Sequence, residues 1–280
     1  MPLKVLVGII TINRANIIPK AIQSAIDQDF KNLKIAVFDD GSTDGTKKLE
    51  AIFSQVDWCF SAHQGYIYGR NKLMRETDAE YYCSIDDDSW FIKGNELSIA
   101  CKYLDEHPEV ACVAFDILSP DRPTENQISA PVETNLFLGC GHVLRLSVAR
   151  EAGFYIKYPG FYGGEERDLC IRLIDKGYKI VKLPGIHVWH EKSNLQRYPP
   201  KIWVSTVCND LTYAYIRFPF IYLFIGLAHK TLLYLKLGAR DKLILPTLKG
   251  IVDFIFFFVT FQLKRRPVSI KGFKKFRQLY

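Results

Sequence analysis

Three acidic runs sit where a chain can do chemistry. Asp86, Asp87 and Asp88 directly follow the apolar stretch YYCSI. Adjacent carboxylates repel one another, so such a cluster costs stability unless a cation neutralises it. Oxygen ligands of this kind suit Mn²⁺ or Mg²⁺, ions that bridge the two phosphates of a nucleoside diphosphate; a solvated acidic turn is the plainer alternative. The second run is Asp39-Asp40 followed by GSTDGT. Asp, Gly, Ser and Thr are good turn formers and Asp44 is placed to cap a helix, while the functional reading has Asp40 accepting hydrogen bonds from a nucleotide base. In the third, GEERDLCIRL from Gly164 to Leu173, Leu169 and Leu173 have the spacing of one helix face. Glu166 then lies near the helix start, as a solvated charge or as a carboxylate general base.

The elements that must position these residues are legible as an alternation of short β-type runs and helical patterns over the first 120 residues. That pattern is the signature of an α/β fold with a mostly parallel sheet and crossover helices. LKVLVGII reads as a buried strand; Ile17, Ile18, Ala21, Ile22, Ala25 and Ile26 recur at helical spacing behind Asn16 as a cap. LKIAVFDD, WCFSA and YYCSIDDD read as further strands, with a helix near Gly69–Thr77. Ligands of such sheets bind outside the carboxyl ends of the strands, and both Asp clusters fall at strand ends. Residues 120–135 read as a loop; helices are expected near 147–152 and 165–176, a strand near 179–183, and a boundary at Pro199-Pro200.

In their order and spacing these elements resemble family 2 of the inverting nucleotide-sugar glycosyltransferases, which have the GT-A, Rossmann-like fold. The resemblance runs over roughly residues 3 to 195. GIITINR is similar to the family's first strand and turn, with Thr11, Asn13 and Arg14 in the matching places and Ile12 where an aromatic residue is usual. FDDGSTDGT is similar to its second strand and loop, and Asp86-Asp87-Asp88 to its Asp-x-Asp metal motif. The resemblance implies that Thr11, Asn13, Arg14, Asp40, Arg70, Asn71, Asp86 and Asp87 face the nucleotide sugar. It also implies that Asp88 and Asp86 hold Mn²⁺ or Mg²⁺ and that Glu166 is the catalytic base. The family usually has Glu-Asp where this chain has Glu165-Glu166. VWHEKS resembles the segment whose histidine completes the metal shell in some relatives, which points to His190, with His187 nearby. The implied domains are a GT-A catalytic domain over 1–198, with a nucleotide half to about 118 and an acceptor half from about 119, and a helical appendage over 199–280. The implied reaction moves a sugar from a UDP-sugar, or from dTDP-rhamnose as in rhamnosyltransferases, to a glycan or lipid-linked acceptor.

Charge separates the same two regions. Of the chain's 280 residues, the last 80 carry 14 Lys and Arg against 3 Asp and Glu, a balance of +11; the first 200 carry 23 against 27, a balance of −4. The basic region also holds FPFIYLFIGLA and FIFFFVTF. Each run is shorter than the about 20 apolar residues a simple span needs. Interfacial helices on an anionic membrane are therefore expected, with packing onto the protein or into a homo-oligomer as the alternative. Long apolar runs make nucleic-acid binding a poor reading of the charge. Seven cysteines, an odd number without a CxxC pair, point to reduced buried thiols. With no signal-peptide pattern at the start, the expected location is cytoplasmic, at the inner face of the cell membrane. A nucleotidyltransferase would show a glycine-rich phosphate loop after the first strand, and GIITINRAN is not one. A catalytically inactive nucleotide-sugar-binding or scaffold protein is the competing reading outside enzymes.

Overall fold

A computed structural model describes residues 3–125, 128–192, 199–261 and 264–279. In chain order the elements are β1 (Val5–Thr11), α1 (Ile18–Ile26), β2 (Leu33–Asp39), α2 (Leu49–Ile52), β3 (Asp57–Phe60), α3 (Tyr66–Glu76), β4 (Tyr81–Asp86), β5 (Ser89–Phe91) and α4 (Glu96–Glu106). They continue with β6 (Val110–Leu118), β7 (Val132–Thr134), β8 (His142–Arg145), α5 (Leu146–Ala152), α6 (Glu165–Asp175), β9 (Lys179–His190), α7 (Pro199–Arg217), α8 (Phe220–Arg240), α9 (Ile244–Phe261) and α10 (Ile270–Gln278). The chain forms two compact units: Met1–Tyr155 with Gly177–Ser193, and Ile156–Lys176 with Asn194–Tyr280.

The first unit is the expected α/β sheet flanked by helices. Its strands run in the order β3-β2-β1-β4-β8-β6-β9-β5, with β7 paired to β9. The pairings among β3, β2, β1 and β4 are all parallel, as is β6 with β9. Strand β8 lies antiparallel between β4 and β6, and β5 and β7 run antiparallel to β9. Strands buried on both faces read as continuous apolar runs, and β1 is buried at six of its seven positions. Helix α1 buries Ile18, Ala21, Ile22 and Ala25 as one stripe against this sheet. Asn16 is not its cap: Ile17 holds the cap position without a side-chain hydrogen bond, and Pro19 in the first turn sets the backbone for helix entry. Asp44, by contrast, does cap, accepting from the Thr46 and Ala15 N–H groups.

The second unit joins α6 to the helices after Pro199, so its division does not coincide with the expected boundary at Pro199-Pro200. The reason is a buried charge. The Asp168 carboxylate on α6 is completely enclosed and accepts from Arg217 Nε at 2.5 Å on α7, from Arg172 Nε at 2.7 Å and from the Tyr158 hydroxyl at 2.7 Å. A buried carboxylate needs such partners, and α7 supplies one that neighbouring sequence does not. At the far end of α6, Asp175 Oδ1 accepts from Ser269 N at the cap of α10.

Candidate active site

The acidic cluster forms where β4 ends. Parallel pairing of β1 with β4 puts Ile10 opposite Asp86, so Thr11 and the turn after it lie beside Asp87 and Asp88. Thr11 Oγ1 donates to Asp87 Oδ2 at 2.8 Å, and Arg14 Nη1 donates to Asp87 Oδ1 and to Asp88 Oδ2, both at 3.1 Å. Arg70, from α3, donates through Nη2 to Asp86 Oδ1 at 2.6 Å. The approach of α3 depends on Gly69: a Cβ there would lie 2.6 Å from the Phe38 ring of β2. Burial pushes the Asp87 carboxyl up to about 7, opposed by the Arg14 charge and the Thr11 hydroxyl and reinforced by Asp88 and Asp86.

His190 reaches this cluster through the antiparallel pairing of β5 with β9, in register Ser89 to His190, backed by the Glu191 N–H donating to the Asp88 carbonyl at 2.9 Å. Its Nε2 lies 3.2 Å from Asp88 Oδ1. That nitrogen is buried and has no hydrogen-bond partner among the described residues. One ligand atom each from Asp86, Asp88 and His190 lies within 4.8 Å of the others. Two carboxylates and an imidazole whose buried nitrogen makes no hydrogen bond among the described residues fit Mn²⁺ or Mg²⁺ by their chemistry. His187 is elsewhere: its Nε2 pairs with Glu125 at 2.6 Å.

The other residues expected on the nucleotide side are tied to the loops that shape it. Asp40 is buried and accepts from the Gln64 and Gly65 N–H groups, with His63 Nδ1 at 2.8 Å. Asn13, in the left-handed backbone region at φ 54°, receives Thr43 N on its Oδ1 and donates its own N–H to Ser42, joining the turns after β1 and β2. Asn71 spends both ends of its amide on the backbone of Tyr155. Reading residue types along the chain does not reveal these loop-holding duties, since the partners lie 24 to 84 positions away. Glu166 stands in the first turn of α6, in the second unit, partly exposed; Glu165 beside it is buried. All seven cysteines are free thiols, six of them buried.

The family described as Glycosyl transferase family 2 matches residues 6–155. The chain belongs to that family. The family 2 match ends at the point where the chain leaves its first unit, so it includes the Asp cluster and not Glu166. Relatives by sequence include an uncharacterised glycosyltransferase of Rickettsia conorii, 31% identical over 107 residues, 37% of this chain and 18% of that protein. A putative teichuronic acid biosynthesis glycosyltransferase, TuaG, of Bacillus subtilis is 24% identical over 192 residues, 62% of this chain and 74% of that one. The chain thus spans less than a fifth of the Rickettsia relative. Among solved structures, the mannosyltransferase PcManGT from Pyrobaculum calidifontis in complex with GDP-Man and Mn²⁺ shares the fold. It is 14% identical with a TM-score of 0.61, over 99% of this family 2 chain and 79% of that one.

Proposed function

We propose that this family 2 protein is an inverting glycosyltransferase that moves a sugar from a nucleotide-sugar donor to a glycan or lipid-linked acceptor in cell-envelope glycan synthesis. The observation that carries the proposal is the Asp86, Asp88 and His190 cluster at the end of β4. Mn²⁺ or Mg²⁺ held by those three side chains would neutralise charge on the nucleoside diphosphate leaving group. Arg70 and Arg14, already against the same carboxylates, would orient the cluster and offset its repulsion. Thr11 fixes Asp87, and Asp40 with Asn13 shapes the loops that flank the base. Glu166 takes the proton of the acceptor hydroxyl; its partial exposure favours it over the buried Glu165. Holding the carboxylate close to the acceptor hydroxyl would supply much of its effect. The relative named for teichuronic acid biosynthesis supports the envelope setting.

The donor class is a UDP-sugar in this reading, with dTDP-rhamnose as the competitor. Thermal shift with UDP, GDP and dTDP, each with and without Mn²⁺, ranks the nucleotide, because a ligand stabilises the folded state by the logarithm of its occupancy ratio. Transfer is then assayed with the matching nucleotide sugars. Glu166→Gln should keep the donor shift and lose transfer; full turnover by that variant removes Glu166 from the mechanism. If no nucleotide stabilises the wild-type protein, the inactive-scaffold reading takes its place.

The reading includes a cytoplasmic membrane face as the place of reaction. Helix α8, unlike the shorter apolar runs expected from the sequence, is long and apolar enough to cross a membrane. One side of it is nonetheless held to α7, where Asp210 accepts from Lys230 Nζ at 2.5 Å and from the Tyr234 hydroxyl at 3.0 Å. The remaining side presents Phe220, Ile221, Phe224 and Ile225, and α9 presents Leu245, Val252, Phe256 and Val259. Exposed apolar rows beside a basic sequence suit a helix lying in an anionic interface. Flotation with phosphatidylglycerol vesicles, but not with phosphatidylcholine vesicles at high salt, is the expected behaviour, lost in Ile225→Asp with Val252→Asp. Point variants are needed because deleting the tail also removes Arg217 from Asp168.

A further inference from the structure

Between Tyr158 and α6 runs the segment PGFYGG, residues 159–164, immediately ahead of Glu165 and Glu166. Its backbone is bound closely by two buried side chains of α7. Asn209 Oδ1 accepts from Gly160 N at 2.7 Å, while its Nδ2 donates to the carbonyls of Tyr162 at 3.0 Å and Gly163 at 2.6 Å. Ser205 Oγ accepts from Phe161 N at 3.0 Å. The fit requires glycine at 160, where a Cβ would lie 2.7 Å from Asn209 Oδ1 and 2.9 Å from the Ser205 Cα. Gly163 and Gly164 then turn the chain through the left-handed region, at φ 84° and 103°.

While the backbone faces inward, the two large side chains face out. Phe161 is 49% exposed and Tyr162 46%, their ring centroids are 6.3 Å apart, and Lys201 Nζ stands 4.9 Å from the Phe161 centroid. Holding a glycine-rich loop costs conformational entropy, and here the held loop leaves apolar rings in water. Flat aromatic faces match the C–H face of a pyranose ring, with a polar edge left for hydroxyls. The loop also leads without a break into the residue proposed as base.

We infer that Phe161 and Tyr162 form a subsite that stacks a pyranose ring of the acceptor, and that Asn209 is the residue that positions it. The inference rests on the glycosyltransferase reading above and deepens it on the acceptor side. Phe161 and Tyr162 contact the sugar; Asn209 acts through the loop backbone.

The test is saturation-transfer difference NMR on the full chain with the methyl pyranosides of glucose, galactose, mannose and N-acetylglucosamine. Mn²⁺ is present with whichever of UDP, GDP and dTDP gives the largest thermal shift. Wild type should transfer saturation to the ring protons of at least one pyranoside. Phe161→Ala and Tyr162→Ala should each weaken that binding roughly three- to tenfold, and Phe161→Tyr should retain it. Asn209→Ala should weaken it likewise with both rings intact. Asn209→Asp, which keeps the acceptor for the Gly160 N–H and loses the bonds donated to the Gly160, Tyr162 and Gly163 carbonyls, serves if the alanine variant does not fold. The nucleotide shift should be unchanged in every variant. A wild-type protein that binds nucleotide but no pyranoside, or pyranoside binding indifferent to both ring truncations, overturns the subsite. So does loss of flotation with phosphatidylglycerol vesicles in the ring variants with sugar binding intact, which would make the rings a lipid contact. Absence of any nucleotide shift in wild type instead fails the donor reading, and with it the acceptor assignment of these rings.

Discussion

Two groups of buried carboxylates in this chain meet arginine and end in opposite states. Asp168 on α6 is enclosed by Arg172, Arg217 and the Tyr158 hydroxyl, with Arg217 giving both Nε and Nη2 and Arg172 both Nε and Nη2. Its negative charge is outnumbered by two guanidinium groups. At the end of β4 three carboxylates share Arg14 and Arg70, and the histidine beside them leaves a buried nitrogen without a hydrogen bond among the described residues. The first group sets one carboxylate among two guanidinium groups; the second sets three carboxylates against two. An arginine beside an aspartate therefore does not by itself mark a site; the ratio of charges is what separates these two groups.

The largest effect expected from breaking this contrast is on folding. Asp168→Asn leaves Arg172 and Arg217 buried together without their counter-charge and should cost about 3–5 kcal/mol, read by chemical denaturation. Asp88→Asn should do the reverse. Transfer should fall by at least about 100-fold, roughly 2.7 kcal/mol, while stability stays within about 1 kcal/mol because one of three repelling charges has gone. Wild type at a Mn²⁺ concentration about 100 times its Kd should gain about 2.7 kcal/mol, a gain that Asp88→Asn should lack. A Mn²⁺ shift of the same size in that variant would sink the cluster as the metal site.

A buried group without any counter-charge sharpens the contrast further. His142 is fully enclosed, with Nδ1 on the Leu138 carbonyl and Nε2 accepting from the Tyr155 hydroxyl. Burial holds its pKa down at about 3, with the Arg70 charge acting in the same direction and the Leu138 bond against it. The unfolded chain takes up this proton near pH 6.5 and the folded one only near 3. Stability from this group is thus whole above about 6.5 and lost as pH falls through that window, by up to about 1.4 kcal/mol per pH unit. His142→Gln should flatten the slope of denaturation free energy between pH 6 and 4, and an unchanged slope would assign it to other groups. The smallest effect expected is at Asp44, whose carboxyl is held low by the Thr46 and Ala15 hydrogen bonds against the opposing pull of burial. Asp44→Ala should cost about 1 kcal/mol as a lost cap, with donor affinity intact.

Much of the first unit was legible in sequence because its signals are local. Apolar runs marked β1, β2 and β4, and the Asp residues at the ends of β2 and β4 stood where parallel strands present ligand-facing loops. Less legible were β5 and β8, three and four residues long and without a period to read. Strand β9 runs on to His190 although the pattern pointed only to 179–183, because its later residues find partners in β5 and β6. The polar 120–135 stretch likewise ends in β7, which exists through its pairing with β9.

The sequence by itself determined the sheet's order of strand and helix, the sign and place of each charged cluster, and the family, since these depend on neighbours a few residues apart. Tertiary structure decided which charges are spent. It brought His190 to Asp88 across about a hundred residues through one strand register, gave Asp40, Asn13 and Asn71 to the loops, and tied α6 to α7 through Asp168 and the loop before α6 to α7 through Asn209. A carboxylate's role depends on the donors within about 3 Å of it, and those donors come from distant parts of the chain.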